Sequence, residues 1–415
     1  MKIKYILLLL PLLACAFPGR CEKIRTVGQM LQAVRDYNLG YAAEKLNIPA
    51  ADADIVAARV FGDPTLSVEY GNNDDWHAHM GQSVSAELGY TLTPGKRGPR
   101  IDLAKSERAL SEALLADYLR RLSLETLTAW HTAVMARQLY RLSVMAYGQL
   151  DTLAKGDSLR NAIGDMRPAD ALATRIQANV ARGNVAMAGS DYENALQALS
   201  LLTSGSVRAA DIDLGDDAVA IPEPAPLAFY LENAENRADL VAALKNTDVA
   251  RKALKLTQRE RNLDIDLSVG YNYNTPVTNE IAPAPRFSGL TVGVGIPLPF
   301  SNRNKGAVQA ARIRVDQAAM QYQQAYAEVR NEVTQAYVSY EGCRKRLREF
   351  DTATLRNSKQ IYDSYRQAYE HRDVSLSEFI AISQMHYDLM TAYYTARCEA
   401  AIAWATLTHA ANMAD

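Results

Sequence analysis

Residues 286–350 read RFSGLTVGVGIPLPFSNRNKGAVQAARIRVDQAAMQYQQAYAEVRNEVTQAYVSYEGCRKRLREF, a strand, a sharp stop and a very long helix in direct succession. Val292, Val294 and Ile296 alternate with small residues, the two-residue period of an extended segment with two different faces. Pro297 and Pro299 end it. After SNRNKG the period changes: Val315, Ala319, Tyr322, Tyr326, Val329, Val333, Ala336, Tyr340, Cys343, Leu347 and Phe350 follow at spacings of four, three, four, three. A heptad seam held over these 36 residues predicts a helix of roughly 54 Å that supercoils against partners. Ala, Val and Tyr on the seam predict helices packed closely, with an occasional ring filling a layer. An ordinary coiled coil has no reason to begin as a sheet.

Working outward, a break near residues 370–375 precedes a second seam of Phe379, Ile382, His386, Leu389, Tyr393, Ala396, Ala400, Ala403, Leu407 and Ala410. Upstream, LSVGY at 267–271 echoes LSVEY at 66–70, 201 positions earlier. QSVSAELGYTL at 82–92 alternates with Val84, Ala86, Leu88 and Tyr90 on one face, and TPGKRGP at 93–99 punctuates the chain where a helical period begins. That period runs from about 101 to 153; a loop with Gly156, Asp157, Gly164 and Pro168 follows, then a seam from Ala178 through Val185 and Tyr192 to Leu202. Residues 24–60 predict a helix interrupted at Asn47-Ile48-Pro49, because proline starts a helix but does not sit inside one. Residues 203–226, rich in Asp, Ala and Pro, read as the linker, and 236–262 as a helix.

The chain thus repeats helix, strand, strand, long helix, turn, return helix. The division expected is a signal segment at 1–21, a first repeat at 22–203, a linker at 204–231 and a second repeat at 232–415.

The opening MKIKYILLLLPLLA carries two lysines before an apolar run too short to span a bilayer, which is the pattern of a secretory signal. Two processing routes compete: Leu12-Leu13-Ala14-Cys15 resembles a lipobox that would lipidate Cys15, and Ala14-Cys15-Ala16 fits an A-x-A cleavage site. Beyond it no stretch reaches the roughly 18 to 20 apolar residues of a membrane helix, so any crossing must use strands. Four strands cannot close a barrel alone and open edges in lipid are forbidden, so several chains must pool theirs.

The formal charge of −2, from 45 basic and 47 acidic residues, gives no basic balance to attract nucleic acid. HExxH, GxSxG, Walker and GxGxxG arrangements are absent, so nothing supports an enzyme or a cofactor. Trp76-His-Ala-His-Met80 could offer two imidazoles and a thioether to a soft metal, but its place in the outer loop of a hairpin explains polar and aromatic residues without one. His386, on a seam, reads as a packed histidine. Cys343 and Cys398 lie 27 residues before and 28 after position 370, so antiparallel helices bring them level. A disulfide is then open, with Cys398 off the seam of Cys343 counting against it.

DPTLSVEYG (63–71), TPGKRG (93–98), GIPLPFSNRNKG (295–306) and the return-helix starts PADAL (168–172) and VSLSEF (374–379) together resemble the TolC-type outer-membrane factor family, in its heavy-metal efflux branch. The resemblance covers essentially the whole mature chain. It implies a mainly α protein with a small β part, a homotrimer with a 12-stranded barrel in outer-membrane lipid continued by a periplasmic coiled-coil barrel. The function it implies is passive export of metal cations or drugs, delivered by an inner-membrane pump of the RND type through a periplasmic adaptor, or membrane fusion protein. By the family pattern of an Arg, a glycine four residues on and an apolar start to the return helix, Arg160, Gly164 and Leu172 are adaptor contacts in the first repeat. Arg372, Ser375 and Leu376 are their counterparts in the second, where Arg372 replaces the usual glycine and predicts a differently shaped tip. Asp165, Asp170, Arg366 and Asp373 are candidate gate residues, since charged rings at a tip can lock it by ion pairs. A duct for type I protein secretion and a periplasmic structural or adaptor coiled coil are the alternatives.

Overall fold

The computed structural model describes residues 23–73, 79–215, 221–298 and 304–413. It forms two compact units, one of Met1–Tyr37 and Thr132–Ala218, the other of Asn38–His131 and Val219–Asp415.

In the first unit, α1 (Val27–Tyr37) buries Met30 and Val34, one turn apart on its apolar side. Ahead of it Ile24 bridges Ile212 in parallel pairing. The Ile24 N–H donates to the Asp211 carbonyl at 3.0 Å and the Asp213 N–H to the Ile24 carbonyl at 2.9 Å. The stretch from 203, read as linker from its composition, is packed instead: Val207 and Leu214 are 2% exposed and Ile212 5%, around a 3-10 turn at Ala209–Asp211. Arg137 donates to the carbonyls of Leu214 and Gly215. It sits on α4 (Arg97–Ala162), a helix of 66 residues whose later part belongs to this unit. The return helix α5 (Pro168–Leu202) starts with Pro168 in its first turn, where the missing N–H costs nothing, and buries Ala178, Ala181, Leu199 and Leu202 of the expected seam.

The second unit opens with α2 (Leu39–Lys45) and α3 (Asn47–Arg59), the interruption falling at Leu46 with Pro49 in the first turn of α3. Then come β1 (Thr65–Asn72) and β2 (Gln82–Leu92), the start of α4, the short α6 (Leu227–Asn233), α7 (Ala238–Arg259), β3 (Ile265–Asn274) and β4 (Phe287–Gly295). α8 (Lys305–Arg348), α9 (Thr352–His371) and α10 (Leu376–Ala410) complete it. The four strands make one antiparallel sheet in the order β1-β2-β3-β4, so the hairpins of the two repeats lie side by side. At the strand-to-helix junction Gly95 takes φ +75°, a conformation open to glycine at little cost. Lys96 there pairs with Asp264 at 2.6 Å.

The core of this unit lies where α6, α7, α8 and α10 meet. Tyr230, Leu240, Val329, Val333, Tyr340 and Leu407 are each at most 3% exposed, with Ala336 and Ala410 between them. Alanine at these positions lets the helices approach closely, and the rings of Tyr340 and Trp404, 5.0 Å apart, fill the wider layer. The α8 seam is followed, with every predicted position from Val315 to Leu347 at least half-buried. Its run does not continue to the turn near 370. Asp351 accepts from the Thr354 N–H at 2.6 Å and starts α9 as a separate helix.

Candidate functional site

The sheet has two chemically opposed faces, and its register shows how they arise. Leu66, Leu88, Val269 and Val292 stand in one rank across the four strands, and Val68, Ala86, Tyr271 and Leu290 in the next. Directly opposed residues share a face, so the odd-even alternation within each strand becomes a continuous apolar surface. It is uncovered: Leu66 is 70% exposed, Val68 66%, Leu290 73% and Val292 69%. An apolar surface of this extent in water marks a partner or a membrane, and strands of eight to eleven residues have the length of tilted membrane strands. No described helix is long and apolar enough to cross a membrane.

The other face is mostly polar and small, with Phe287 opposite Asn274 at one end. Glu69, Glu87 and Asp266 are the charged residues of the four strands, all acidic. Its polar side chains repeatedly lie over a glycine of the next strand. A Cβ at Gly71 would come within 2.6 Å of the Ser83 Oγ, at Gly89 within 2.8 Å of the Thr65 Oγ1, at Gly289 within 2.7 Å of the Asn272 Oδ1, and at Gly293 within 2.6 Å of the Ser268 Oγ.

Two helical turns hold the other predicted residues. In the first unit α4 ends in a Schellman turn: Gly164 at φ +80° donates to Asn161 O at 3.0 Å, and Asp165 N–H to Arg160 O at 2.8 Å. The Arg160 side chain lies 3.8 Å from Asp157. Asp157, 2% exposed, accepts at 2.7 Å from the Thr174 hydroxyl of α5, which pins the two helices together. Asp170, in the first turn of α5, is paired with Arg167 at 2.8 Å. Leu172 is 59% exposed and heads a stripe with Ile176 and Val180, 53% and 55% exposed.

In the second unit α9 ends at Arg372, φ +72°. Its N–H donates to Tyr369 O at 3.1 Å and that of Asp373 to Ala368 O at 2.8 Å. This is the same turn as at Gly164, so the expectation of a different shape is corrected: an arginine is held in the left-handed region and the hydrogen bonds are kept. Ser375 and Glu378 form a capping box, with Ser375 N–H to Glu378 Oε2 at 2.8 Å and Glu378 N–H to Ser375 Oγ at 3.3 Å. Ser375 therefore starts a helix, and Leu376 behind it is half-buried. The SxxE spacing carried that signal in the sequence.

Behind this turn an aromatic ladder joins α9 to α10. Tyr369 stacks on Phe379 at 5.3 Å and Tyr362 on His386 at 5.0 Å, with Tyr387 edge-on to Tyr362 at 5.9 Å. His386 Nδ1 is 2.9 Å from the Ser358 Oγ, and burial lowers its pKa, the environment of a packed histidine. Arg366 is half-buried in the same hairpin, its Nε without a hydrogen bond.

Sequence reasoning missed a charge network in the second unit. Arg237, 2% exposed, forks onto Asp239 at 2.8 and 2.5 Å and reaches Glu332 at 2.7 Å. Arg120, paired with Asp117 at 2.8 Å, lies 3.9 Å from Asp239. Burial opposes the charge of Asp239, but the Arg237 hydrogen bonds and charge hold its carboxyl below the ordinary range.

Cys343 and Cys398 are free thiols. Cys398 Sγ lies 3.4 Å from the His131 carbonyl, and burial raises its pKa to about 11. Of the proposed soft-metal stretch, Trp76, His77 and Ala78 lie outside the described residues, as does Cys15; the Met80 sulfur accepts from Asn279 at 3.3 Å. No group of three His, Cys, Asp or Glu that could hold a metal occurs among the described residues.

Residues 230–412 match the family described as outer membrane efflux protein. The cobalt-zinc-cadmium resistance protein CzcC of Cupriavidus metallidurans is 29% identical over 300 residues, 70% of this chain and 66% of CzcC, just under two thirds of its length. Among solved structures, the Campylobacter jejuni CmeC outer membrane channel superposes with a TM-score of 0.76 at 14% identity, covering 93% of this chain and 85% of CmeC. CusC, described for its folding and transmembrane channel formation, superposes with a TM-score of 0.73 at 15% identity, covering 94% and 93%. The fold described above is shared with these channels over nearly the whole chain.

Proposed function

We propose that the chain belongs to the outer membrane efflux protein family, whose model matches residues 230–412, and that three copies pool their strands into a 12-stranded barrel. The barrel spans the outer membrane and continues into the periplasm as a helical barrel, a passive export duct. The observation that carries this reading is the two-faced sheet, with Leu66, Leu88, Val269 and Val292 in one exposed rank. Turned to lipid, that face needs no protein cover, and the acid-bearing face lines water. The repeats at 22–203 and 232–415 each supply one hairpin and one helical turn, on either side of the segment 204–231.

An inner-membrane pump, of the RND type in our reading, and a periplasmic adaptor deliver the cargo. The adaptor docks at Arg160, Gly164 and Leu172 on one turn and at Arg372 and Leu376 on the other. Ser375 contributes by holding the start of α10. Asp165, Asp170, Arg366 and Asp373 serve as gate charges, Asp170 already engaged by Arg167. The cargo we propose is divalent metal cations, supported by the likeness to CzcC and by a polar face whose strand charges are all negative.

Native mass spectrometry of protein extracted by detergent from outer membranes tests the assembly. A trimer is expected, and its mass reads out whether Cys15 carries acyl chains; a soluble periplasmic monomer would overturn the duct. Deleting the gene should sensitise the host to cobalt, zinc or cadmium, and unchanged tolerance of all three would remove the cargo assignment.

A further inference from the structure

We propose that cross-strand pairs of glycine and polar residue set the bore of the outer pore, with Gly289 and Gly293 as size-determining residues; this rests on the duct reading above. In a barrel wall built from this sheet, polar side chains standing upright would crowd the lumen. Here they lie down. The Ser268 Oγ occupies the space a Cβ at Gly293 would take, 2.6 Å from it, and the Asn272 Oδ1 does the same at Gly289, at 2.7 Å. Asn272 sits on an uncovered sheet face, yet its Oδ1 is buried and carries no hydrogen bond. A buried oxygen on an open face means that the side chain is laid flat on the neighbouring strand.

An added methyl at either glycine meets the end of a side chain rather than backbone. The polar group therefore rotates to another staggered well, away from the wall, while the strand pairing stays. Because the wall is repeated in each protomer, one substitution raises a ring of side chains at one level. The glycines thus set the width of the wall by making room for the side chains that lie across them.

The test is single-channel conductance of the detergent-purified native assembly and its variants in planar bilayers bathed in KCl. Gly289→Ala and Gly293→Ala are each expected to lower conductance, the double variant further. Adding Ser268→Gly to Gly293→Ala should restore it, while Ser268→Gly alone leaves it at the native value. Native conductance in both alanine variants, or a rise in Ser268→Gly alone, would overturn the proposal. Should the alanine variants fail to assemble, Ser268→Gly and Asn272→Gly decide it by the same criterion: unchanged conductance supports flat side chains, and a rise refutes them. Recovery of the native protein as a soluble periplasmic monomer would overturn the duct reading itself, a result distinct from a trimeric channel that ignores these glycines.

Discussion

Gly164 and Arg372 occupy the same position in two equivalent helix-ending turns, at φ +80° and +72°. Each turn closes with the same pair of hydrogen bonds, to Asn161 and Arg160 in one and to Tyr369 and Ala368 in the other. Glycine enters this region freely, whereas an L-residue with a side chain is strained by about 1–2 kcal/mol. Arg372→Gly should therefore stabilise the α9–α10 turn by about 0.5–1 kcal/mol after the glycine's larger unfolded-state entropy is subtracted. Hydrogen exchange at the Asp373 amide reads this directly; faster exchange in the variant would mean that contacts of the arginine side chain outweigh its backbone strain.

The Thr174 hydroxyl donates to buried Asp157 across the α4–α5 hairpin, at 2.7 Å. Thr174→Val keeps the volume and removes the donor, and a cost of about 1–3 kcal/mol is expected for a buried acceptor losing its bond. Thermal unfolding of Thr174→Val beside Thr174→Ser, which keeps the hydroxyl, separates the hydrogen bond from the packing.

Arg237 neutralises Asp239 and Glu332 from a position 2% exposed. Replacing it with Met leaves Glu332 without its counter-charge and Asp239 with only Arg120, 3.9 Å away. Breaking a fully buried pair costs ~3–5 kcal/mol, and because the side chains of Asp239 and Glu332 are 28% and 56% exposed, solvent reduces this to about 2–4 kcal/mol. Denaturant unfolding of Arg237→Met should show a loss of that size, concentrated in protection of α7.

The same network fixes the sign of one pH dependence. The folded-state pKa of Asp239 is depressed, so on acidification the unfolded chain takes up the proton first. Its stabilisation is complete above the unfolded value of about 3.9 and is lost as the pH falls toward the folded value. Asp239→Asn should unfold with a flatter acid limb below about pH 4; parallel acid limbs in variant and native protein would show that other carboxylates control this range.

What the sequence made legible follows from period. Leu66, Val68 and Tyr70 alternate, and Val329, Val333, Ala336 and Tyr340 keep a heptad, because each face meets one environment along its length. The pairing of β2 with β3 joins segments nearly two hundred residues apart, and no local pattern encodes it. The break between α8 and α9 hides because Leu347 and Phe350 stay on the seam while Asp351 caps a new helix. Residues 203–215 looked like a linker because their burial rests on three scattered apolar residues and on hydrogen bonds to Ile24. Arg237 was invisible for a related reason: its partners Asp239 and Glu332 are brought together only by packing of α7 on α8. At the second turn the sequence named Arg372 as an anomaly but not the outcome, since the hydrogen-bond pattern of the turn prevailed over residue preference.

In the duct proposed above, ion preference follows from the polar face of the sheet. Glu69 and Glu87 point to that face from adjacent strands, and with Asp266 they are its strand charges. Asp266 accepts from the Thr91 hydroxyl at 2.6 Å, which leaves the two glutamates as the charges least engaged by neighbouring strands. A lumen with one sign of fixed charge concentrates the opposite mobile ion and repels its own. The reconstituted native channel should therefore show a reversal potential on the cation side in a KCl gradient, larger at low salt, where screening is weak. Glu69→Gln with Glu87→Gln should move it most of the way to zero while conductance at high salt is nearly kept, because the shape of the wall is unchanged. A reversal potential that ignores both substitutions would assign selectivity to the helical turns, where Asp165, Asp170 and Asp373 lie.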